Sequence, residues 1–467
     1  MNTRRPFPIL FLIILMAWVM VACSARQAQT ATSRGEASAT PAAEATPSPT
    51  ARPTATPTLA PTQSIQSTEH AQILETVWST VNESYFDPDF GGLDWAAVRA
   101  RYEPLVRAAK DDDELYHLLN QMLWELQVSH AAVGPLEEWP AAEPVVWMDG
   151  DIGIDVRLLG EQVVITRVRA GSPAEKAGLH MGFSITAIDG TTVEQIVADA
   201  QDRLAPPYNE QGRVDLLTRH LLSLIYGEPG TCVNLAYLEE RDALRESCVE
   251  RMPRPRMGAL EGAPIPPSFL EFESQRLVDG IGYIRFNTFH PDLMPDLISA
   301  LAEFHDAPGI IVDLRGNPGG ELETDGQMAA QFLDGQATIG RFETRSGTMP
   351  WVVTGENAYS GPLVILIDAL SFSGSEFFSS GLQAVGRAVI VGERSPGGAT
   401  VGNIAPLPNN AILVFPVAQL LTPGGQVVEG HGVVPDIPVT LERGQLLDGI
   451  DAQLKAAIKH IVEVAGS

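Results

Sequence analysis

The chain has 467 residues, 45% hydrophobic and 19% charged, a balance that suits a globular body with room for two or three domains. Its formal net charge of −27 argues against nucleic acid as a partner, because phosphate binding needs clustered Lys and Arg. Lysine occurs only at Lys110, Lys176, Lys455 and Lys459, which restricts where an amine could act as a base.

Residues 1–22 open with Arg4 and Arg5, continue through an apolar run from Ile9 to Val21, and lead to Cys23. This resembles a bacterial lipoprotein signal, with cleavage before Cys23 and lipid on its sulfur. An apolar run of about 13 residues is short for a membrane span. An uncleaved anchor is the alternative. Either way the body is expected outside the cytoplasm, held to a membrane. Residues 23–68 are rich in Thr, Pro, Ala and Ser, as in TPAAEATPSPTARPTATPTLAPT; such a stretch cannot bury a core and reads as a tether. Residues 69–140 read as a small helical unit. Ile73, Val77 and Val81 recur at helical spacing, as do Leu115, Leu119, Met122 and Leu126 after the acidic start DDDE. The unit runs out in LQVSHAAVGP, which carries Ser129 and His130.

Residues 141–255 switch to short alternating runs broken by glycines, with Ile152, Ile154 and Val156 on one face. SPAEKAGL reads as a short helix with a serine cap, Pro173 in its first turn and Gly178 near its end. This series, followed by AIDG, resembles a PDZ domain. The resemblance implies that the loop around Ile152, Gly153 and Ile154 receives a peptide's terminal carboxylate while strand addition holds its backbone. A PDZ shell used only for packing is the alternative. Cys232 and Cys248 flank two strands around a turn near Glu240, which sets them opposite each other; a cross-strand disulfide is expected, with two buried thiols as the other reading. Their spacing lacks the paired units of a zinc site, and no metal or other cofactor is expected.

Residues 265–467 alternate strands and helices, which suggests a mainly parallel α/β sheet. Two turns sit at the carboxyl ends of its buried strands: DLRGNPGG from Asp313 and ALSFSGSE from Ala369. Open α/β sheets bind ligands there. Gly319 and Gly320 let backbone N–H groups approach a ligand, and a serine opening a helix has free N–H groups beside it. Together they make a nucleophile and an oxyanion cradle. On these residues alone a phosphate site remains open.

IGYIRFNTF, DLRGNPGG, SFSGSE, GRAVIVGE and GHGVVPDIPV follow in order, and the chain thereby resembles the C-terminal-processing and tricorn-like serine peptidases. The resemblance implies a multidomain fold: a ClpP/crotonase-like α/β peptidase core, an upstream PDZ β-domain and an N-terminal helical unit. It implies a polypeptide substrate and places the nucleophile on Ser373. In the C-terminal-processing branch a lysine deprotonates the serine, at a position that here is Gly398. Arg394 cannot replace it, because a guanidinium stays protonated. The tricorn branch uses a histidine preceded by serine, and a glutamate before a GVxPD motif. These match Ser129, His130 and Glu429. His431, in the glycine turn beside Glu429, is the competing base. The first oxyanion donor is the N–H of Gly374, and Gly319 or Gly320 supplies the second. The expectation is a lipid-anchored, extracytoplasmic serine endopeptidase; a peptide-binding fold without chemistry, or an esterase with the same nucleophile, are its rivals.

Overall fold

A computed structural model describes residues 61–136, 150–201, 209–254, 256–260, 267–356 and 358–466. Cys23 and most of the Thr/Pro-rich stretch lie outside them. Three helices open the described chain: Pro61–Ser84 (α1), Trp95–Ala108 (α2) and Asp112–Trp124 (α3). The tether boundary expected at residue 68 therefore falls inside α1. Pro61 sits at its first position, where a missing N–H is no loss. Asp94 and Asp111 cap α2 and α3 by accepting the N–H groups of Ala97 and Glu114, each at 2.9 Å. The buried faces of all three close over Leu413 and Phe415 from the far end of the chain. Strand β1 (Ala132–Pro135) pairs antiparallel with residues 411–414. That pairing fixes Ser129 and His130, just before β1, onto the last third of the molecule.

The PDZ region holds β2 (Ile154–Leu159), β3 (Gln162–Val168), α4 (Pro173–Lys176), β4 (Ser184–Ile188), α5 (Val193–Gln201), α6 (Glu210–Ile225), β5 (Cys232–Leu238) and β6 (Leu244–Glu250). Its sheet runs β2-β3-β4-β5-β6, so β2 is an edge strand, and α6 packs beside it. Cys232 and Cys248 are joined as a disulfide with Cα atoms 5.7 Å apart. They are not directly opposite: Cys232 faces Glu250 and Cys248 faces Asn234. The hairpin turns around Arg241, one residue later than the sequence suggests, because Glu239 N–H closes it on the carbonyl of Ala243. The bridge is therefore diagonal.

The peptidase core comprises β7 (Phe272–Arg276), β8 (Gly282–Phe286), α7 (Met294–Glu303), β9 (Ile310–Asp313), α8 (Leu322–Ala330), β10 (Gly335–Thr344), β11 (Gly347–Gly355), β12 (Leu363–Ile367), α9 (Gly374–Ala384), β13 (Val389–Gly392), β14 (Thr400–Pro406), β15 (Ala411–Leu421), β16 (Ile437–Pro438) and α10 (Ala452–Ala465). One sheet runs β7-β8-β9-β12-β13-β16 and is parallel except for β7 against β8. Its central strands IIVD and LVILI are wholly buried, as covered parallel strands are. The mainly parallel expectation holds for this sheet and misses a second one. That sheet is antiparallel and runs β1-β15-β10-β11, with β14 also on β15. Residues 400–421, which carry Pro406, Pro408 and Pro416, supply two of its strands and were not assigned from the sequence. Pro416 is accommodated because β15 pairs with β1 through residues 411–414 and with β10 through 418–421, and the proline falls in the gap.

Candidate active site

The apolar run of β12 ends at Asp368, which organises the turn that follows. Its carboxylate accepts the N–H groups of Gly316 at 3.0 Å and Leu370 at 2.9 Å, and pairs with Arg157 of β2 at 2.5 Å. Ser371 donates its hydroxyl to the carbonyl of Leu314 at 2.8 Å, and Ser375 donates to that of Asn317 at 2.9 Å. Both serines are thus spent on holding two loops together. Ser373 is the remaining hydroxyl. It opens α9 with φ +52°, a conformation that costs a non-glycine residue about 1–3 kcal/mol and collects at functional sites. Its N–H donates to Glu376 at 3.1 Å. Glu376 also accepts from Ser395 Oγ (2.5 Å) and from the N–H groups of Gly397 (2.6 Å) and Gly398 (2.7 Å). Besides capping its own helix start, it thus clamps the 395–398 loop to the nucleophile turn. Burial pushes its carboxyl up to about 8 against those donors.

The glycine turn packs directly against Ser373. A Cβ on Gly319 would lie 2.6 Å from the nitrogen of Gly374 and 2.8 Å from Cβ of Ser373, so only glycine fits. A Cβ on Gly374 would meet Gly320 N at 3.3 Å. The N–H of Gly319 is committed to Asn317 Oδ1 at 2.8 Å. Among the described residues the N–H groups of Gly374 and Gly320 donate to nothing. Asn317 was not singled out from sequence. It is fully buried, and its carbonyl also accepts Phe372 N–H at 3.0 Å, which locks the glycine turn to the serine turn.

His130 comes in from the end of the helical unit, also with positive φ at +55°. Its Nδ1 lies 2.9 Å from Ser129 Oγ and 3.1 Å from Thr400 Oγ1. Ser129 Oγ donates to Glu429 Oε2 at 2.9 Å, and Ser129 N–H donates to Oε1 at 2.6 Å. Thr400 Oγ1 donates to the Ser129 carbonyl at 3.0 Å. Both hydroxyl protons are then engaged elsewhere, and their lone pairs face Nδ1. That arrangement selects the Nδ1–H tautomer and leaves Nε2 with a free lone pair. Burial pushes the His130 imidazole down to about 4 and the Glu429 carboxyl up to about 7, the latter opposed by the Ser129 donors. The ring stacks on Phe372, centroids 5.3 Å apart, and lies over Gly402, where a Cβ would approach its Cδ2 at 3.0 Å. Ser373 Oγ and His130 share no hydrogen bond; the ring reaches the serine turn through Phe372. Catalytic hydrogen bonds in unliganded sites are often long and tighten with substrate.

The other expected residues fall as follows. His431 is exposed, and its Nδ1 bonds the Glu429 carbonyl at 2.9 Å while the Glu429 carboxylate faces Ser129. In the PDZ loop Ile152 is buried, its carbonyl accepts Ala174 N–H at 2.9 Å, and the Gly153 carbonyl accepts Arg169 N–H at 2.8 Å. The N–H groups of Ile152 and Gly153 donate to nothing among the described residues. Ile154 opens β2, paired with Val168. Ala369 and Leu370 of the serine turn are buried in the PDZ cluster with Ile154 and Val156, and Arg219 of α6 donates to the Leu370 carbonyl at 2.8 Å. Among the described residues no group of His, Cys, Asp and Glu is arranged to hold a metal ion. Thr400, Phe372 and Asn317 were missed by sequence reading. The replacement of lysine by Gly398 was the signal available for Phe372: a Cβ at Gly398 would fall inside the Phe372 ring.

A serine turn beside a glycine cradle, a histidine backed by serine and glutamate, and a PDZ sheet packed on the serine turn describe a serine-type peptidase. The chain is one, and it resembles the C-terminal-processing, tricorn-like kind. The model of Peptidase family S41 matches residues 280–439, the Tricorn protease C1 domain residues 66–124, and the PDZ domain residues 150–205. It is 27% identical over 401 residues to the carboxyl-terminal-processing protease of Synechocystis sp., covering 84% of this chain and 86% of that one. It is 25% identical over 394 residues to carboxyl-terminal-processing peptidase 3, chloroplastic, of Arabidopsis thaliana, covering 82% and 70%. Its fold is similar to that of a photosystem II D1 C-terminal processing protease, with a TM-score of 0.52, 21% identity and coverage of 85% and 97%. It is also similar to mature CPAF complexed with lactacystin, with a TM-score of 0.57, 13% identity and coverage of 86% and 98%.

Proposed function

We propose that this chain is an endopeptidase of extended polypeptides, working outside the cytoplasm from a lipid anchor at Cys23, with Ser373 as nucleophile and His130 as general base. The observation that carries this is the hydrogen-bonded series Glu429, Ser129, His130 beside the serine turn. The PDZ region selects a peptide by its C-terminus, received by the free N–H groups of Ile152 and Gly153 at the head of the edge strand β2.

His130 Nε2 takes the proton of Ser373 as Oγ bonds to the substrate carbonyl carbon. The resulting oxyanion is held by the N–H groups of Gly374 and Gly320. Gly319 is set aside as a donor because its N–H already serves Asn317. The protonated imidazole then gives its proton to the leaving amine as the C–N bond breaks. Water, deprotonated by the same nitrogen, cleaves the acyl-enzyme. Glu429 offsets the positive charge that His130 carries between those steps.

The test is labelling of the full chain with a fluorophosphonate, together with hydrolysis of unstructured protein. Ser373→Ala and His130→Ala are each expected to lose label, and Ser373→Ala to lower turnover about 10⁴-fold. His431→Ala is expected to keep both. Label that survives in Ser373→Ala overturns the nucleophile. Loss in His431→Ala with retention in His130→Ala overturns the base. A wild type that binds peptide but neither labels nor cleaves identifies a peptide-binding fold.

A further inference from the structure

The peptide unit between Gly319 and Gly320 carries the proposed second oxyanion donor, and the groups that fix its plane lie on the chain behind it. Strand β8 ends at Phe286, and the next residues run beside the glycine turn. Asn317 Nδ2 donates to the Phe286 carbonyl at 3.0 Å, and Phe289 forms a parallel bridge with Gly320. The Phe289 N–H donates to the Gly319 carbonyl at 2.9 Å, and the Glu321 N–H donates to the Phe289 carbonyl at 2.8 Å. A second donor reaches the Gly319 carbonyl: the buried hydroxyl of Thr288, also at 2.9 Å. Both lone pairs of that oxygen are then filled. A trans peptide is planar, so its carbonyl and the following N–H point opposite ways. Holding the Gly319 carbonyl toward Thr288 and Phe289 therefore turns the Gly320 N–H away from them. The Gly320 nitrogen lies beside the serine turn, 3.3 Å from where a Cβ on Gly374 would stand.

We propose that Thr288 is a positioning residue for oxyanion stabilisation: its hydroxyl sets and polarises the Gly319–Gly320 peptide, whose N–H receives the substrate's carbonyl oxygen. Thr288 acts through that peptide and touches no substrate itself. Three observations favour this over a hydroxyl that merely satisfies a buried carbonyl. The carbonyl already has the Phe289 N–H, so its satisfaction does not require Thr288. The peptide is flanked by glycines at φ +100° and +150°, which impose little steric restraint of their own, so its plane has to be held from outside. The preceding peptide is fixed separately, through the Gly319 N–H on Asn317 Oδ1 at 2.8 Å, which leaves the 319–320 unit to the Thr288 and Phe289 donors. Hydrogen bonds to a peptide carbonyl also polarise the whole unit and strengthen its N–H as a donor, most of all in a buried setting.

The inference rests on the peptidase reading and is tested in the full chain. Thr288→Val keeps the shape of the side chain and removes the hydroxyl; Thr288→Ser keeps the hydroxyl. Hydrolysis of a fluorogenic peptide gives kcat and KM. Loss of a whole oxyanion donor costs about 10²–10³ in kcat, and here the Phe289 N–H remains in place. Thr288→Val is therefore expected to lower kcat about tenfold with KM nearly unchanged, and Thr288→Ser to stay within about twofold of wild type. A second readout separates positioning from general loosening. With a peptide aldehyde, Ser373 Oγ bonds to the carbonyl carbon, its proton passes to His130, and the former carbonyl oxygen takes the charge in the cradle. Affinity for the aldehyde should fall about tenfold in Thr288→Val, while affinity for the matching peptide alcohol, which cannot form the adduct, should not change. Where calorimetry shows that Thr288→Val does not fold, Thr288→Ala against Thr288→Ser gives the same comparison. An unchanged kcat on loss of the hydroxyl, equal weakening of aldehyde and alcohol, or a serine variant as poor as the valine variant overturns the role of the hydroxyl. A wild type that neither cleaves peptide nor prefers the aldehyde to the alcohol overturns the peptidase reading and this inference together. A wild type that does both, matched by the Thr288 variants, overturns this inference alone.

Discussion

At the residue scale, the place of the missing amine is taken by other groups. Phe372 fills the space a lysine at 398 would need, and His130 lies on that ring with Glu429 behind it. Two titrations bear on activity and lie well apart. His130 is pushed down to about 4 by burial, so it is neutral and able to accept a proton at any pH above that. Glu429 is pushed up to about 7, also by burial. It offsets charge on His130 only once ionised. The acid limb of kcat/KM is therefore expected near pH 7 rather than near 4, with activity rising as the pH rises. In Glu429→Gln the limb near 7 should vanish and the plateau should fall about ten- to a hundredfold. A limb that stays in place in that variant would assign it to another group. Ser129, His130, Ser373 and Glu429 were legible because each stands in a short contiguous motif. Thr400 was not: a threonine after Gly397, Gly398 and Ala399 carries no signal until folding brings it, 270 positions downstream, onto His130.

At the scale of elements, helix α8 follows the glycine cradle and buries Asp325 completely. Among the described residues neither of its carboxyl oxygens has a hydrogen-bond partner. Burial holds this carboxyl well above the ordinary range, so it is protonated and still unsatisfied. Leaving a buried polar group unpaired costs about 1–3 kcal/mol. Asp325→Ala removes that penalty and also improves helix propensity. It is expected to raise the thermal unfolding midpoint, which calorimetry would show; a lower midpoint would mean that the carboxyl has a partner the described residues do not include. The parallel sheet was readable from strands such as LVILI because a fully covered strand is apolar at every position. The antiparallel sheet escaped because β14 and β15 carry Gly402, Pro406 and Pro416, which signal loop unless the pairing partners are known. Those partners lie at β1 and β10, far away in sequence.

At the scale of the whole molecule, buried carboxyls near the site tie stability to pH. Glu376 titrates near 8 and Glu393 and Glu429 near 7, each raised by burial from an ordinary 4.5. The folded chain thus keeps protons that the unfolded chain has already released. Their contribution is complete below about 4.5 and is lost as pH rises through 7 to 8. His130 runs the other way: its folded value is lowered, so its effect is confined to the interval between about 4 and 6.5, above which the ring is neutral in both states. From about pH 6.5 to 8.5 the unfolding midpoint is accordingly expected to fall, and Glu376→Gln should flatten that slope. A midpoint that rises over the interval would contradict the raised values.

The pairing of β1 with β15 has a consequence for biosynthesis. His130, the proposed base, is translated early, Ser373, the proposed nucleophile, much later, and Glu429 near the end. A ribosome that stalls anywhere before that glutamate releases a fragment in which the three have never met. If Ser373, His130 and Glu429 act as proposed, such a fragment is unable to cleave its neighbours, and activity waits until the segment that carries Glu429 has been made.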